Sequence, residues 1–217
     1  DTWIRSMARV LFLRSQAIWL KAAKHPQKAQ LEVLTTILEK NGVDIQALVS
    51  QMVKNASVEF AAYYYFTNLR MHCVGLDGES VKAVIEDARM EDLSHFESCI
   101  ERIYQLGGSI PANIEDFIAM AHCDFLRLPE NKTDLQAILQ KCLKAEQGAI
   151  VNWNSVCQMT FGKDPVTYSL AKNILAEEIE HEAWFLELIH GRPSGHMRRR
   201  FPGESPHTRK HSRALDR

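Results

Sequence analysis

Glu91-Asp92-Leu93-Ser94-His95 and Glu177-Glu178-Ile179-Glu180-His181 share one pattern: two acids, two other residues, then a histidine. On a helix, a carboxylate three residues before an imidazole lies on the same face, so each stretch presents an acid and a histidine side by side. One such pair is commonplace in helical proteins. Two of them supply four of the six ligands of a di-metal carboxylate bundle, in which two further helices each add a single Glu. A fold that uses both pairs must therefore contain four long helices and two more inward-facing acids.

Caps and breaks outline those helices. Leu31 to Lys40 is a short helical segment ended by Asn41-Gly42, a left-handed terminator. Asp44 caps a long run, free of Gly and Pro, that reaches about Cys73. Val74-Gly75-Leu76-Asp77-Gly78 is a turn, and Ser80 begins a second long helix that ends at Gly107-Gly108, before Pro111. A link of about 25 residues follows, containing only the amphipathic piece Ile114 to Ala121 and the turn Pro129-Glu130-Asn131. Thr133 or Asp134 caps a third long helix running to Phe161-Gly162, and Asp164-Pro165 opens a fourth that stops at His190-Gly191. The aromatic run Tyr63-Tyr64-Tyr65-Phe66 sits inside a helical pattern, and no stretch holds a strand's alternation. Short turns inside each pair and a long link between pairs predict an all-α, ferritin-like four-helix bundle with a crossover between helices two and three.

The single acids are Glu59, in the otherwise uncharged stretch from Asn55 to Leu69, and Glu146, which precedes a chargeless run to Phe161. Glu59 lies 36 residues before His95 and Glu146 lies 35 before His181. The two halves thus repeat the order single Glu, turn, acid-x-x-His at nearly one period, as a pseudo-twofold di-metal site requires. Alone, Glu146 would read as a solvated surface acid and His95 as a hydrogen-bonded core histidine; order, helix placement and matching intervals make Glu59, Asp92, His95, Glu146, Glu178 and His181 a set. The expectation is Asp92 with His95 on one metal, Glu178 with His181 on the other, and Glu59 and Glu146 between the metals or facing them. Glu91, at the i,i+4 spacing to His95, competes with Asp92. Glu91, Glu177 and Glu182 otherwise read as surface or outer-shell acids. Tyr63 and Trp153 share faces with Glu59 and Glu146, where packing is favoured over electron donation. Carboxylates with one imidazole per metal suit two iron ions, with manganese or zinc as other occupants, held about 3.5–4 Å apart.

Charge is unevenly spread along the chain. The net charge of -1 over 217 residues divides into +5 for residues 1–28, +6 for 191–217 and -12 between them. An acidic body attracts cations and basic ends suit polyanions. Accordingly, 1–28 is expected to be a basic arm, 29–190 the folded domain and 191–217 a disordered basic tail. Met7–Lys24 is basic, amphipathic and acid-free, a pattern shared by transit peptides and basic surface helices. Cys73, Cys99, Cys123, Cys142 and Cys157 are odd in number and widely spaced, arguing against a disulfide framework or zinc ribbon and for a reducing, cytoplasmic setting. No apolar run reaches the ~18 residues of a membrane span.

Lys54-Asn55-Ala56-Ser57-Val58-Glu59-Phe60, Arg89-Met90-Glu91-Asp92-Leu93-Ser94-His95-Phe96, Lys144-Ala145-Glu146-Gln147 and Glu177-Glu178-Ile179-Glu180-His181-Glu182-Ala183-Trp184 carry a resemblance. At these residues, and over about 40–190, the sequence resembles the Dps-like proteins, a ferritin-like branch with a bacterioferritin-type di-iron site, also called thioferritins. The resemblance implies a mini-ferritin: a homo-oligomeric shell of twelve subunits that oxidises Fe(II) with hydrogen peroxide or oxygen, stores ferric iron and protects DNA. It also implies a cysteine pair beside the metals, of which Cys123 matches one member, while Gly148 stands at the other. Two rivals accompany this reading: a rubrerythrin-like di-iron peroxidase that stores no iron, and a DNA-condensing protein acting through basic ends such as Arg198-Arg199-Arg200 and Arg209-Lys210.

Overall fold

The computed structural model describes residues 26–123, 126–191 and 193. The expected arm, apart from its last residues, and nearly all of the expected tail lie outside the described residues. The described chain is helical: α1 Pro26–Lys40, α2 Ile45–Met71, α3 Gly78–Gln105, α4 Ile114–Ala119, α5 Leu135–Thr160 and α6 Pro165–His190. α2 pairs with α3 and α5 with α6, and the two hairpins pack together through α2 against α5 and α3 against α6. The all-α bundle with a crossover between the second and third long helices is therefore the observed architecture.

Local chemistry sets the boundaries. Asp44, Asp134 and Asp164 each accept hydrogen bonds from first-turn backbone N–H groups of α2, α5 and α6, satisfying donors that have no partner within the helix. Of the two candidates for the α5 cap, Asp134 takes the role. Pro165 follows its cap at the first helical position, and α6 ends on Gly191 at φ 62, where a side chain would be strained. α3 starts at Gly78, two residues ahead of the expected Ser80, whose hydroxyl instead donates to the Asp77 carbonyl. A Cβ on Gly78 would lie 2.8 Å from the Cys73 carbonyl carbon, so the turn between α2 and α3 closes onto backbone there. α1 begins earlier than expected, at Pro26, and α4 ends two residues sooner, at Ala119.

Burial divides the bundle into two apolar clusters. One gathers Val58, Ala61, Phe66 and Leu69 of α2, Val84, Ile85 and Ala88 of α3, Leu139 and Cys142 of α5, and Trp184 and Phe185 of α6. The other gathers Leu48, Met52 and Ala56 of α2, Cys99 and Ile103 of α3, Ala149 and Trp153 of α5, and Ala171 and Ile174 of α6. On α3, α5 and α6 the expected ligands Asp92 with His95, Glu146, and Glu178 with His181 fall between the two clusters, and on α2 Glu59 follows Val58, just past where the clusters meet. Apolar side chains thus seal a polar layer from both ends of the bundle. The crossover helps close it laterally, since Phe117 of α4 packs on Phe60 and Phe96, and its carbonyl accepts the Ser57 hydroxyl at 2.5 Å.

A buried ion pair ties the first hairpin to the second near the start of α6. Arg102 donates to Asp164 at 3.0 Å and to the Thr167 hydroxyl at 2.7 Å, and both Arg102 and Asp164 are buried. Burial opposes charge on Asp164, but the Thr167 cap contacts, followed by the Arg102 guanidinium, outweigh it and hold the carboxyl below its ordinary value. Removing one partner of a buried pair leaves the other as an uncompensated charge. Arg102→Leu is therefore expected to cost about 3–5 kcal/mol of stability at neutral pH, read from denaturant unfolding at matched protein concentration; an unchanged midpoint would show that the pair stabilises nothing.

Candidate metal centre

Glu59, Asp92, His95, Glu146, Glu178 and His181 come from all four long helices and converge in the polar layer, each between 0% and 3% exposed. Their donor atoms form two groups: Glu59, Asp92, His95 and Glu178 in one, and Asp92, Glu146, Glu178 and His181 in the other. Asp92 and Glu178 belong to both groups, while Glu59 and Glu146 belong to one each. Glu178 shows the sharing directly, with Oε1 at 2.8 Å from His95 Nδ1 and Oε2 at 3.6 Å from His181 Nδ1. Glu59 Oε2 lies 3.5 Å from His95 Nδ1, and Glu146 Oε2 lies 3.6 Å from His181 Nδ1. Asp92 and Glu178, expected on separate ions, each reach both donor groups, whereas Glu59 and Glu146 each reach one.

Glu91 lies outside the two groups that share Asp92 and Glu178 and joins His95 and Glu177 in a third. Its Oε2 contacts His181 Nε2 at 2.9 Å, on the side of the ring away from the cavity. Glu177, on α6, makes the matching contact to His95 Nε2 at 2.8 Å. Each imidazole is thus oriented by an acid from the helix that carries the other imidazole. With Nε2 donating to that acid, a ring that gives up its Nδ1 proton turns a lone pair to the cavity, the form a metal-binding histidine needs. The two rings lie nearly parallel, with centroids 6.2 Å apart. Glu182 stays outside this arrangement, half-buried and accepting from Gln147.

Trp153, expected on the face of Glu146, instead reaches across to Glu59: its indole N–H donates to Glu59 Oε1 at 2.5 Å. Helix spacing gave no signal for that contact, because it depends on the side-by-side packing of α2 and α5. Tyr63 is half-buried beneath the Arg89 guanidinium, 5.4 Å from its ring centre, and Arg89 in turn pairs with Glu86. Cys123 is buried with its thiol directed at the Ala121 carbonyl, and Gly148 is exposed on α5, with no atom within 4 Å of where a Cβ would stand.

The electrostatics favour cations. Burial and neighbouring acids raise the carboxyls of Asp92 and Glu59 above their ordinary values, and burial does the same for Glu146 despite the nearby His181. Burial also opposes charge on Glu178, but contacts with His181 and His95 prevail and lower it. Burial works against the imidazolium form of both histidines too, yet Glu177, Glu178 and Glu59 around His95, and Glu146, Glu178 and Glu91 around His181, raise both. Both oxygens of Asp92, both of Glu178, Glu146 Oε1 and the two Nδ1 atoms are buried with no well-formed hydrogen bond among the described residues. Buried polar atoms are ordinarily satisfied, and a converging set of hard oxygen and imidazole donors fits divalent cations.

With this fold and site, the chain belongs to the ferritin-like domain family, whose model matches residues 49–191. It is 51% identical over 174 residues to the DNA protection during starvation protein of Pyrococcus furiosus, covering 80% of this chain and 94% of that one. Among solved structures, it is similar to a dodecameric thioferritin from Bacteroides fragilis, with a TM-score of 0.69 and 26% identity over 74% of this chain and 94% of that one. A Dps1 variant from Mycobacterium smegmatis shares the fold, with a TM-score of 0.60 and 16% identity over 67% and 97% of the two chains. No helix among the described residues is long and apolar enough to cross a membrane.

The charge balance carries a pH signature. In the metal-free fold, Asp92, Glu59, Glu146 and both histidines hold protons more tightly than in the unfolded chain. Where the folded state binds more protons, stability falls as pH rises through the raised values. Glu178 has the opposite sign, but with its value lowered from 4.5 its contribution is already complete above pH 6.5, the ordinary histidine value. Calorimetry of chelator-treated protein is therefore expected to give a melting temperature that declines from pH 6.5 upward, with Mn(II) raising it most at the alkaline end. A metal-free melting temperature that rises over this range would remove the crowding of charge as the governing feature.

Proposed function

We propose that the chain is a ferroxidase of the mini-ferritin kind, which oxidises Fe(II) with hydrogen peroxide or oxygen and retains the ferric product inside a homo-oligomeric shell in the cytoplasm. The observation that carries this reading is the pair of four-residue donor groups sharing Asp92 and Glu178 in a layer sealed by apolar side chains. Kinship with a protein named for DNA protection, and similarity to a thioferritin described as dodecameric, support storage and protection in a shell of twelve subunits.

Iron is the substrate, and the six residues are its holders. Glu59 and His95 serve one Fe(II), Glu146 and His181 the other, and Asp92 and Glu178 both. Two Fe(II) give up one electron each; hydrogen peroxide accepts the pair together with two protons from solvent, its O–O bond breaks, and two waters leave. Delivering two electrons together avoids the one-electron reduction that releases hydroxyl radical. The protein's contribution is position and charge: four carboxylates balance the positive charge of the ions, and Glu91 and Glu177 keep the imidazoles turned inward.

Glu178→Ala and His181→Ala are expected to slow peroxide-dependent Fe(II) oxidation by about two orders of magnitude or more, since loss of even an outer-shell partner costs 10–100-fold. Both variants should keep wild-type helicity and native mass. Unchanged oxidation in both removes these residues from the mechanism. Native mass and iron content after aerobic loading test storage: a small oligomer that retains a few irons while turning over peroxide with an external donor would favour a rubrerythrin-like peroxidase.

A further inference from the structure

Besides Asp92 against Glu178, the internal repeat that relates the halves of the site differs in chemistry at a further pair of positions. Trp153 stands seven residues after Glu146, and the equivalent position, seven after Glu59, is Phe66. Both are fully buried aromatic residues. Only the first carries a hydrogen-bond donor, and it spends that donor on the single acid of the opposite half. Glu59 Oε1 is taken by the Trp153 N–H at 2.5 Å, while Glu59 Oε2 faces His95 Nδ1 at 3.5 Å. Phe66 has nothing to donate and packs edge-on against Phe185. Glu146 Oε1 is correspondingly buried without a hydrogen-bond partner.

We propose that Trp153 makes the two metal positions unequal, restricting Glu59 to one ligating oxygen and keeping a coordination position open on the Glu59/His95 side, while Glu146 closes on its ion with both oxygens. The inference rests on the metal-centre reading above. Its physical basis is competition for one oxygen: an N–H donor in a dry site holds a carboxylate oxygen that a metal would otherwise take, and indole has no lone pair to offer in exchange. Donor atoms then number four on the His95 side, namely Glu59 Oε2, His95 Nδ1 and one oxygen each from Asp92 and Glu178. They number five on the His181 side, where Glu146 adds its second oxygen. The oxidant, a small oxygen ligand, accordingly binds at the ion beside Glu59 and His95, so Trp153 is a positioning residue that decides where it enters.

The test uses the full chain, anaerobic Co(II) as a redox-stable probe, and azide as a small anionic ligand, followed by Co(II) visible absorption and calorimetry. The wild type is expected to bind two Co(II) per chain and then one azide per Co(II) pair. Trp153→Phe is expected to keep both Co(II) but to bind azide about tenfold more weakly or worse, the lower end of losses on removing an outer-shell partner, because Glu59 is released to chelate with both oxygens. Benzothienylalanine at position 153, which keeps the ring volume and lacks only the N–H donor, carries the same expectation if the smaller side chain prevents folding. Two azides per pair or none in the wild type, or unchanged azide affinity in the variants with both Co(II) bound, overturns the role given to Trp153 alone. Fewer than two Co(II) per wild-type chain overturns the metal-centre reading, and this proposal with it.

Discussion

Four carboxylates and two imidazoles share a space that water barely reaches, and everything else in the bundle is arranged around that electrostatic cost. An isolated ionised carboxylate is far too expensive to bury, so the groups must hold protons, pair with one another or receive cations. The two apolar clusters make the cost unavoidable, because they seal the polar layer from both ends. The same sealing makes the layer useful: donors deprived of water and of hydrogen-bond partners are already desolvated when a cation arrives. Stability and affinity are therefore opposed in the empty site and aligned in the filled one.

Much of this was legible in the sequence because caps, breaks and helical spacing are local. Aspartates at 44, 134 and 164 each begin a helix, Gly191 ends one, and the long link after Gly108 forces the hairpins into a crossover arrangement. The six converging residues could also be named, since an acid-x-x-His face and a lone acid in a chargeless stretch announce which way the side chain points. Which residues meet across the bundle was less accessible. Spacing gives the register along one helix but says little about which neighbour that face will meet. Asp92 and Glu178 therefore looked like members of separate halves, although their helices pack so that each carboxylate reaches both groups. Glu91 looked like a rival to its neighbour Asp92 and turns out to serve the histidine of the other hairpin.

Trp153 marks the same limit from another side. As a buried aromatic residue it needed no explanation beyond packing, and its apolar body does pack in one of the two clusters. Its N–H tells the rest of the story, because a fully buried indole needs an acceptor and finds one on another helix. A repeat comparison that included polar handles as well as acids and histidines would have singled out positions 66 and 153, where the halves agree in shape and differ in chemistry.

The crossed contacts Glu91 to His181 and Glu177 to His95 also have a mechanical consequence. Each joins α3 to α6, and they run in opposite directions across the same interface. If α3 slid along α6 by even a fraction of a turn, both contacts would stretch together and both rings would lose their orientation at once. The pair therefore acts as a lock on the relative height of two helices from different hairpins. Strain applied far away along either hairpin would be resisted at the level where the imidazoles need it most.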